Sequence, residues 1–473
     1  MVKNNLEIES RVESKKGDQT RPTYFLSITL ENIRCFGPRQ TLDLSNGKGR
    51  PSQWTIILGD NGVGKTTLLQ SIVALTPVVF PTLAEEETRK EVVPRYFTDK
   101  RMEWEPFRYG NDDFYLSVDF FVGAELSEKK LGKEIKDLYV GRNLDYVKTN
   151  ENETTWNIFR KLKRANGKNY KDLGEIVCFG YGASRRMGET SLSEKAEDDP
   201  YASLFSDNVA LLNAEEWLLQ ADYAAHASKS SRAQKRAKDR RDEIKSILIK
   251  LLPDVDDIKF TQLTEEQLKP GIEVKTPYGW VSIKELSLGY KTLIAWMVDL
   301  ASRLFDTYPD SPNPLAEPAV VLVDEIDLHL HPKWQRNLMS FLSELFPNTQ
   351  FIATAHSPLI VQAATDANVV LLRRESDHVV IDNDVKAIHG WRVDQILTSD
   401  LFGLESARPP QLDSLLAERT QILSKAKLTK KDRERLEKIE EEIGSLPTGE
   451  TPEDMEAMDV IRRAAERLKS EGY

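Results

Sequence analysis

The pattern of apolar and polar positions predicts β-strands in several parts of the chain. Residues 23–37, TYFLSITLENIRCFG, alternate apolar and polar positions, which is typical of a half-buried strand, and QTLDL at 40–44 predicts its hairpin partner. Three later runs, at residues 54–58, 319–323 and 351–355, are almost wholly apolar and predict buried strands. The residues from Thr67 onward predict an amphipathic helix, and a longer helical pattern follows position 287.

Length, charge and cysteine content limit the class of protein. A chain of 473 residues is too long for one ordinary domain, and 40% hydrophobic with 30% charged residues is typical of globular proteins. Its two cysteines cannot form a disulfide framework, and no apolar run approaches the roughly 18 residues of a membrane span. We therefore expect a cytoplasmic protein without membrane contact. Its net charge of −11 argues against a protein that coats nucleic acid.

A phosphate-binding motif follows the predicted strand at 54–58. Residues 59–66, GDNGVGKT, fit G-x-x-x-x-G-K-[ST] without a gap and lie between a strand and a helix, as this motif requires. Glycines let backbone N–H groups turn towards phosphate, Lys65 supplies a cation for the β- and γ-phosphates, and the Thr66 hydroxyl suits Mg²⁺. We therefore expect ATP and Mg²⁺ as cofactors. The candidate nucleotide-binding residues are Gly59, Asp60, Asn61, Gly62, Val63, Gly64, Lys65, Thr66 and Thr67.

Two carboxylates end the predicted strand at 319–323. In phosphate-loop ATPases an acidic residue at this place holds Mg²⁺, which predicts that role for Asp324, and Glu325 is the candidate general base for the attacking water. His329 and His331 follow closely, and such a density of histidines and carboxylates also occurs in metal sites. No Cys or His cluster in the sequence completes a zinc site. We expect the two histidines to pack against a neighbouring subunit or the nucleotide.

Two further segments bear on the class of ATPase. Residues 286–290, LSLGY, begin a long helical pattern with Ser287 as its N-cap and Gly289 in its first turn, so this helix N-terminus can face an anion. A capped core helix is the alternative explanation. His356 follows the third buried strand, and its place after the acidic strand predicts that it senses the γ-phosphate. The predicted catalytic residues are Lys65, Glu325 and His356.

The order of these residues along the chain resembles that of ABC-type ATPases. DEIDLHLHPKWQ and FPNTQFIATAHSPLIV resemble segments of the SMC, RecF and OLD branch, and the likeness covers residues 22–75 and 275–400. It implies an α/β fold, an ABC-type phosphate-loop head in which a mixed sheet is flanked by helices. It also implies head-to-head dimers, in which Ser287 and Gly289 of one subunit complete the ATP site of the other and Asp327 lines the dimer seam.

The sequence departs from that pattern in two places. LSLGY lacks the second glycine and the glutamine of transporter signatures, and the glutamine-bearing loop that usually follows the phosphate loop has no clear match. The nearest substitute is IVCFGYGASRR, a predicted strand that ends near Ser184. Arg185 and Arg186 in this segment are candidates for a nucleotide or phosphate contact, with a surface role as the alternative.

The two parts of the predicted head are far apart in the chain, and this separation sets the expected domain organisation. We expect a flexible N-terminal tail (1–21), the first half of the head (22–95), an inserted α-rich arm (96–274), the second half of the head (275–400) and a helical C-terminal assembly region (401–473). The assembly region has three helical patterns, of which the second begins at Thr429 and the third at Thr451. Their narrow apolar stripes predict packing on a partner or on each other.

Two other features of the chain allow more than one interpretation. Residues 229–241, KSSRAQKRAKDRR, form either a solvated helix face or a contact to nucleic-acid phosphates or an acidic partner. Asp382 and Asp384 form a D-x-D that would suit a nuclease, but the alternating elements of a Toprim domain are missing around it. We expect a turn between short strands there, and no nuclease within this chain.

The HLHP segment after the acidic pair resembles the ATPase subunits of Septu-type anti-phage systems. That resemblance implies an ATPase that forms homodimers or higher oligomers and regulates a separate nuclease subunit of the HNH type. The alternatives are a RecF-like DNA-repair ATPase and a scaffold that binds ATP with negligible turnover. An OLD-type nuclease fits the sequence less well because the Toprim domain is missing. A transporter subunit fits it less well because of the long insert and the signature.

Overall fold

A computed structural model of the chain describes residues 22–84, 87–95, 104–106, 108–110, 114–123, 133–142, 176–189, 199–228, 230–261, 270–385, 390–404, 406–407, 409–425 and 428–443. The chain divides into two compact units, Met1–Ile396 and Leu397–Tyr473. Among the described residues, none of the helices is both long and apolar enough to cross a membrane.

The first unit contains runs of strands separated by helices. The strands are β1 (Thr23–Glu31), β2 (Gln40–Asp43), β3 (Trp54–Gly59), β4 (Pro77–Ala84), β5 (Glu87–Pro94), β6 (Phe114–Val122), β7 (Lys133–Arg142), β8 (Cys178–Tyr181), β9 (Asp257–Thr261), β10 (Gly271–Thr276), β11 (Gly279–Ser282), β12 (Ala319–Val323), β13 (Thr349–Thr354), β14 (Asn368–Glu375) and β15 (His378–Asp382). The α-helices among the described residues of both units are α1 (Lys65–Leu75), α2 (Ala202–Phe205), α3 (Ala214–Ala227), α4 (Ser231–Leu251), α5 (Leu288–Thr307), α6 (Pro332–Leu345), α7 (Pro358–Ala363), α8 (Val393–Leu397), α9 (Pro410–Leu423) and α10 (Lys430–Ile443).

The central sheet has six strands in the order β15-β14-β3-β13-β12-β8. Its pairs are parallel except for β14 with β15, so the sheet is mixed, as expected from the sequence. The predicted strands at 54–58 and 319–323 are confirmed as β3 and β12, and both are buried. Because β3, β12, β13 and β8 are parallel, the loops that follow them leave the same edge of the sheet.

A second sheet has the order β2-β1-β6-β7 and is antiparallel. The predicted hairpin of β1 with the strand at 40–44 is confirmed. Helix α1 contacts strands of both sheets, and every residue of α1 except Thr66 is buried. The prediction that this helix is amphipathic is therefore wrong, because a helix that packs between two sheets has no face towards water.

The expected boundary between head and inserted arm does not match the sheets. Strand β6 pairs with β1, β7 pairs with β6, and β8 pairs with β12, so three strands that were assigned to the arm lie in the same sheets as β1 and β12. The rest of that segment includes the helices α3 and α4, which contact each other and α5. A short sheet in the order β11-β10-β9 completes the region before α5.

The basic stretch at 229–241 lies largely on α4, where its arginines have partners within the chain. Arg236 lies 3.3 Å from an oxygen of Asp310, and Arg241 lies 2.5 Å from an oxygen of Asp222. Arg240 donates to the carbonyl of Phe305 at 2.6 Å. These three side chains tie α4 to neighbouring segments of its own unit, which supports the solvated-helix interpretation for this part of the stretch.

The D-x-D at 382–384 begins at the last residue of a short strand, β15. Asp382 ends β15 and lies 2.9 Å from Arg373, and its carboxylate accepts a 3.0 Å hydrogen bond from the backbone N–H of Asp384. Within the described residues no second strand comes after it, so the expected turn between two strands is only half right. Asp382 has a structural ion pair.

The second unit contains α9 and α10, which pack against each other. The predicted cap at Thr429 is confirmed: its hydroxyl accepts from the N–H of Asp432 at 3.2 Å, and the Asp432 carboxylate accepts from the N–H of Thr429 at 2.9 Å. An ion pair of Arg435 with Glu418 at 2.7 Å joins the two helices. The third predicted helix, from Thr451, lies outside the described residues.

Candidate functional site

Four loops meet at the carboxyl edge of the central sheet. They follow β3, β8, β12 and β13, and they contain the phosphate-loop motif, Arg185, the Asp324–Glu325 pair and His356. In open sheets with parallel strands, ligands bind in the crevice at this edge. The sheet therefore brings together distant residues of the chain, such as Thr66 and Asp324, which are 258 positions apart.

The phosphate loop joins β3 to α1 in a left-handed conformation. Gly59, Gly62 and Gly64 have φ angles of +142°, +79° and +85°, which only glycine adopts readily. Gly64 is the N-cap of α1 and offers no capping side chain, so the first N–H groups of that helix are available to an anion. A β-carbon at Gly64 would also overlap the sulfur of Cys35.

Lys65 lies inside this loop and is almost fully buried. Its ammonium donates to the carbonyls of Gly59 and Asp60, both at 2.8 Å. Burial lowers the pKa of Lys65, and the carboxylates of Asp324 and Glu325 oppose that shift. The ammonium is thus held inside the loop by backbone carbonyls, near the acidic pair.

Asp324 connects the acidic strand to α1. One oxygen of its carboxylate accepts from the hydroxyl of Thr66 at 2.6 Å, and the other accepts from the hydroxyl of Thr354 at 2.6 Å. Asp324 is buried, with 5% of its surface exposed. The Thr66 hydroxyl and the Asp324 carboxylate are hard oxygen ligands of the kind that Mg²⁺ prefers, so the donor set fits this ion.

Glu325 has a different environment from its neighbour. Its φ angle is +49°, which is uncommon for a residue with a side chain, and its N–H donates to the hydroxyl of Thr354 at 2.7 Å. Its carbonyl accepts from Arg185 at 2.8 Å. The hydrogen bonds of Glu325 to other described residues are all made by its peptide, which leaves its carboxylate free to act on a ligand.

The structure separates the two arginines after β8: neither interpretation fits Arg185, whereas Arg186 agrees with the surface alternative. Arg185 is neither on the surface nor directed at a phosphate site: its guanidinium is buried and donates to the carbonyls of Gly182, Asp324 and Glu325. Arg186 is exposed and donates to the carbonyl of Asp207 at 3.1 Å. The two side chains are chemically identical, but the fold buries one and exposes the other.

His356 follows β13, as predicted, and is joined to the acidic loop through its backbone. Its N–H donates to both oxygens of the Asp327 carboxylate at 3.2 Å. Its Nε2 is buried and has no hydrogen-bond partner among the described residues. Such an atom is normally paired, so the imidazole is a candidate for contact with a bound ligand.

Sequence reasoning missed Gln335, which connects the same two loops. Its amide donates to the carbonyls of Asp327 and Leu330, and its oxygen accepts from the hydroxyl of Ser357 at 2.6 Å. Gln335 lies on α6 and Ser357 is the N-cap of α7. A glutamine in the middle of a helical pattern gave no local signal of this bridge.

Ser287 is the N-cap of α5, as predicted, but the described hydrogen bonds do not connect it to the phosphate loop. Its side chain is exposed and makes no capping bond, and the neighbouring Leu288 is 54% exposed. Gly289 lies against the loop after the acidic pair. The contact is so close that a β-carbon at Gly289 would overlap the carbonyl oxygen of His329. The start of α5 thus presents an open surface next to that loop.

His329 and His331 have structural positions in the loop between β12 and α6. His329 has a left-handed φ of +63°, and His331 is the N-cap of α6, where its Nδ1 accepts from the N–H of Lys333 at 3.2 Å. Among the described residues, no group of three or more His, Cys, Asp or Glu side chains is placed to hold a metal ion. Whether either imidazole meets a subunit or a nucleotide stays a prediction.

The sequence and the fold were compared with known proteins. The chain is 26% identical over 438 residues to "Septu protein PtuA" of Bacillus mycoides (strain KBAB4), a match that covers 92% of this chain and 52% of that protein. It is 25% identical over 455 residues to "Retron Ec83 probable ATPase" of Escherichia coli, which covers 86% of this chain and 82% of that one. The chain thus spans about half the length of the Bacillus relative. These likenesses confirm the predicted resemblance to Septu-type ATPase subunits.

Solved structures and family models were compared as well. "Crystal structure of the SmcHead bound to the C-winged helix domain of ScpA" is 14% identical, with a TM-score of 0.37, over 76% of this chain and 97% of that one. A model described as "AAA domain, putative AbiEii toxin, Type IV TA system" matches residues 179–362. A model described as "AAA domain" matches residues 27–269, more than half of the chain. The chain therefore belongs to the AAA-domain family.

Proposed function

We propose that this protein binds MgATP at the carboxyl edge of its central sheet and hydrolyses it. The observation that carries the proposal is the 2.6 Å hydrogen bond between the Thr66 hydroxyl and the Asp324 carboxylate, which joins the phosphate-loop helix to the acidic strand. The pair is positioned as two ligands of one Mg²⁺ would be. Mg²⁺ supplies charge neutralisation for the phosphates when it is bound.

The phosphate loop provides the binding part of the proposed site. The glycine-rich turn and the N-terminus of α1 direct N–H groups at the phosphate chain, and they carry partial positive charge. Lys65 exchanges its bonds to the Gly59 and Asp60 carbonyls for phosphate oxygens. The cation then neutralises charge that develops as the terminal phosphoryl group leaves.

Glu325 and His356 provide the chemical part of the proposed site. The Glu325 carboxylate accepts a proton from the attacking water, since its peptide is held while its side chain is free. His356 donates from Nε2 to the terminal phosphate, which would satisfy a buried atom that has no partner among the described residues. Asp327 holds the backbone of His356 and so links this group to the acidic loop.

We propose that the active form is a dimer of heads. The exposed N-terminus of α5, with Ser287 and Leu288 at the surface, is a suitable place for a second copy to approach. Gly289 then serves two contacts, one with the His329 carbonyl of its own chain and one with the nucleotide of the other copy. The expected division into two head segments, an arm and a helical assembly region is part of this proposal, with β6, β7 and β8 moved to the head.

The biological role that we propose is control of a separate nuclease, of the HNH type, in defence against phage. The likeness to a Septu protein and to a retron ATPase over most of this chain supports that role. The alternatives are a RecF-like repair ATPase and an ATP-binding scaffold. A neighbouring gene for an HNH nuclease whose product co-purifies with this protein would favour control of a nuclease. A neighbouring replication gene would favour the RecF-like repair ATPase.

The experiment that tests the activity is phosphate release from MgATP, measured for the natural protein and for Glu325→Gln. We expect steady turnover by the natural protein and a rate about 10²-fold lower in the variant, the typical effect of removing a general base. MgATP binding without turnover in both proteins would favour the scaffold. Absence of MgATP binding by the natural protein would contradict the proposal as a whole.

A further inference from the structure

Arg185 is the most buried cation next to the proposed site. Its side chain is 1% exposed, and its guanidinium carbon lies 5.7 Å from the centre of the Trp296 ring. Nη1 donates to the carbonyls of Gly182 and Asp324, and Nη2 donates to the carbonyl of Glu325. Three carbonyls from two loops therefore share one planar donor.

A buried cation is unfavourable unless its surroundings offset the loss of water. Burial lowers the pKa of Arg185 to about 10, and the nearby carboxylates of Asp324, Asp327 and Glu325 oppose that shift. Arg185 therefore remains charged at neutral pH. Its charge is balanced by these acids, while its hydrogen bonds go to the main chain. Because the guanidinium donates to backbone carbonyls and not to the carboxylates, the carboxylate oxygens remain available to other partners.

The peptides around Glu325 are also held from the opposite side. The N–H of Asp324 donates to the carbonyl of Tyr181 at 2.8 Å, and the N–H of Ile326 donates to the carbonyl of Thr354 at 2.9 Å. The Thr354 hydroxyl accepts from the N–H of Glu325 at 2.7 Å. On the carbonyl side Arg185 contacts both Asp324 and Glu325, and the Glu325 carbonyl also accepts from the N–H of Leu328 at 3.0 Å.

These contacts have a geometric consequence for the side chain of Glu325. A φ of +49° is unfavourable for a residue with a β-carbon, and such a conformation persists only where its surroundings hold it. The direction of the Cα–Cβ bond, and hence the reach of the carboxylate, depends on that conformation. If the Glu325 carbonyl were released, the peptide could turn and the carboxylate would point elsewhere.

We propose that Arg185 is a positioning residue that holds the Asp324–Glu325 peptides in the orientation required for Glu325 to act as general base. This inference rests on the proposed ATPase function. It assigns to the loop after β8 a part in hydrolysis that does not involve contact with the nucleotide. It also explains why an arginine is needed, since a lysine cannot present several donors in one plane.

Arg185→Lys is the test, with Arg186→Lys as the matched control on the exposed neighbouring arginine. We expect the Arg185 variant to lower kcat for MgATP about 10–100-fold, the usual range for groups that orient a reacting residue, with KM and nucleotide affinity unchanged. The control should keep natural kcat and KM. In a Glu325→Gln background, Arg185→Lys should add little further loss, because the group that it orients is already absent.

The outcomes separate this inference from the proposed function. If the natural protein hydrolyses MgATP and Glu325→Gln is impaired, a folded Arg185→Lys protein with natural kcat overturns the positioning role alone. A selective loss of nucleotide affinity would also overturn it, since Arg185 would then contact the ligand. If the natural protein shows no turnover, the proposed function fails first.

A second variant covers the case in which Arg185→Lys unfolds. Thr354→Val removes the hydroxyl that accepts from the N–H of Glu325 and donates to the Asp324 carboxylate, and Thr354→Ser keeps both bonds, so MgATP affinity is measured beside kcat to separate the two effects. We expect the valine variant to lower kcat and the serine variant to restore most of it. Natural kcat in the valine variant would overturn the idea that the Glu325 peptide must be held.

Discussion

The hydroxyl of Thr66 donates a 2.6 Å hydrogen bond to the carboxylate of Asp324, although the two residues are 258 positions apart in the chain. Thr66 is in the first turn of α1, and Asp324 directly follows β12. Strands β3 and β12 are parallel members of one sheet, with β13 between them. The loops after β3 and β12 therefore open at the same carboxyl edge of this sheet. This contact joins the phosphate-binding and acidic parts of the proposed site.

Asp324→Asn should separate Mg²⁺-dependent from Mg²⁺-independent nucleotide binding. The amide removes a negative charge and a hard anionic ligand, so we expect MgATP affinity to fall while affinity for ATP in chelator changes little. Nucleotide titrations with and without Mg²⁺ measure both values. Asp384→Asn, on an exposed residue after β15, is the control. Equal MgATP affinity in natural and Asp324 variant proteins would contradict the metal role.

Lys65→Ala should abolish tight MgATP binding. Each charge-assisted hydrogen bond contributes about 1.5–3 kcal/mol, so loss of the ammonium predicts affinity at least about 10-fold lower. Calorimetric titration with a slowly hydrolysed ATP analogue measures it without turnover. Unchanged affinity would mean that the glycine-rich loop does not bind phosphate in this protein.

His356→Ala should slow hydrolysis and leave the acidic pair intact. His356 donates to Asp327 through its backbone N–H and not through its imidazole, and the alanine variant retains this bond. We therefore expect lower kcat with a near-natural melting temperature, which assays of phosphate release and thermal unfolding can check together. His378→Ala, on β15, is a histidine control outside the proposed site. Natural turnover in His356→Ala would rule out phosphate sensing.

Ser287→Arg should block ATP-dependent pairing of heads and leave ATP binding by single heads intact. An added cation at the exposed N-terminus of α5 opposes the positive end of the helix dipole and the approach of a phosphate. Mass photometry with and without MgATP would measure pairing. Hydrolysis at a natural rate, at concentrations too low for association, would show that one head is sufficient.

Removal of residues 411–473 should leave nucleotide binding nearly intact, since the proposed site residues all lie in the first compact unit. Helices such as α9 and α10 gain most of their stability by burying an apolar stripe on another surface. We expect weaker oligomer formation or weaker capture of a nuclease partner, measured by mass photometry and co-purification. A truncated protein that assembles normally but no longer binds ATP would contradict this assignment.

The sequence by itself determined the local parts of the site. A phosphate loop is a contiguous pattern, and its glycines, lysine and threonine are recognisable because phosphate binding requires those types at fixed spacing. The buried strands before Gly59 and Asp324 were also predictable, since apolar runs of this length with flanking polar turns have few alternatives. The capping box at Thr429 and Asp432 belongs to the same class, because its partners are three residues apart.

Only the tertiary structure decided which distant segments meet. The pairing of β6 with β1, of β7 with β6 and of β8 with β12 puts three strands of the expected arm into the same sheets as β1 and β12, and no local pattern specifies a partner strand. α1 was expected to have a polar face and proved buried, because sheets lie on two sides of it. Arg185 and Arg186 are adjacent and chemically identical in the sequence. One is buried among the carbonyls of the acidic loop and the other is exposed, because a side chain's environment is set by the fold around it.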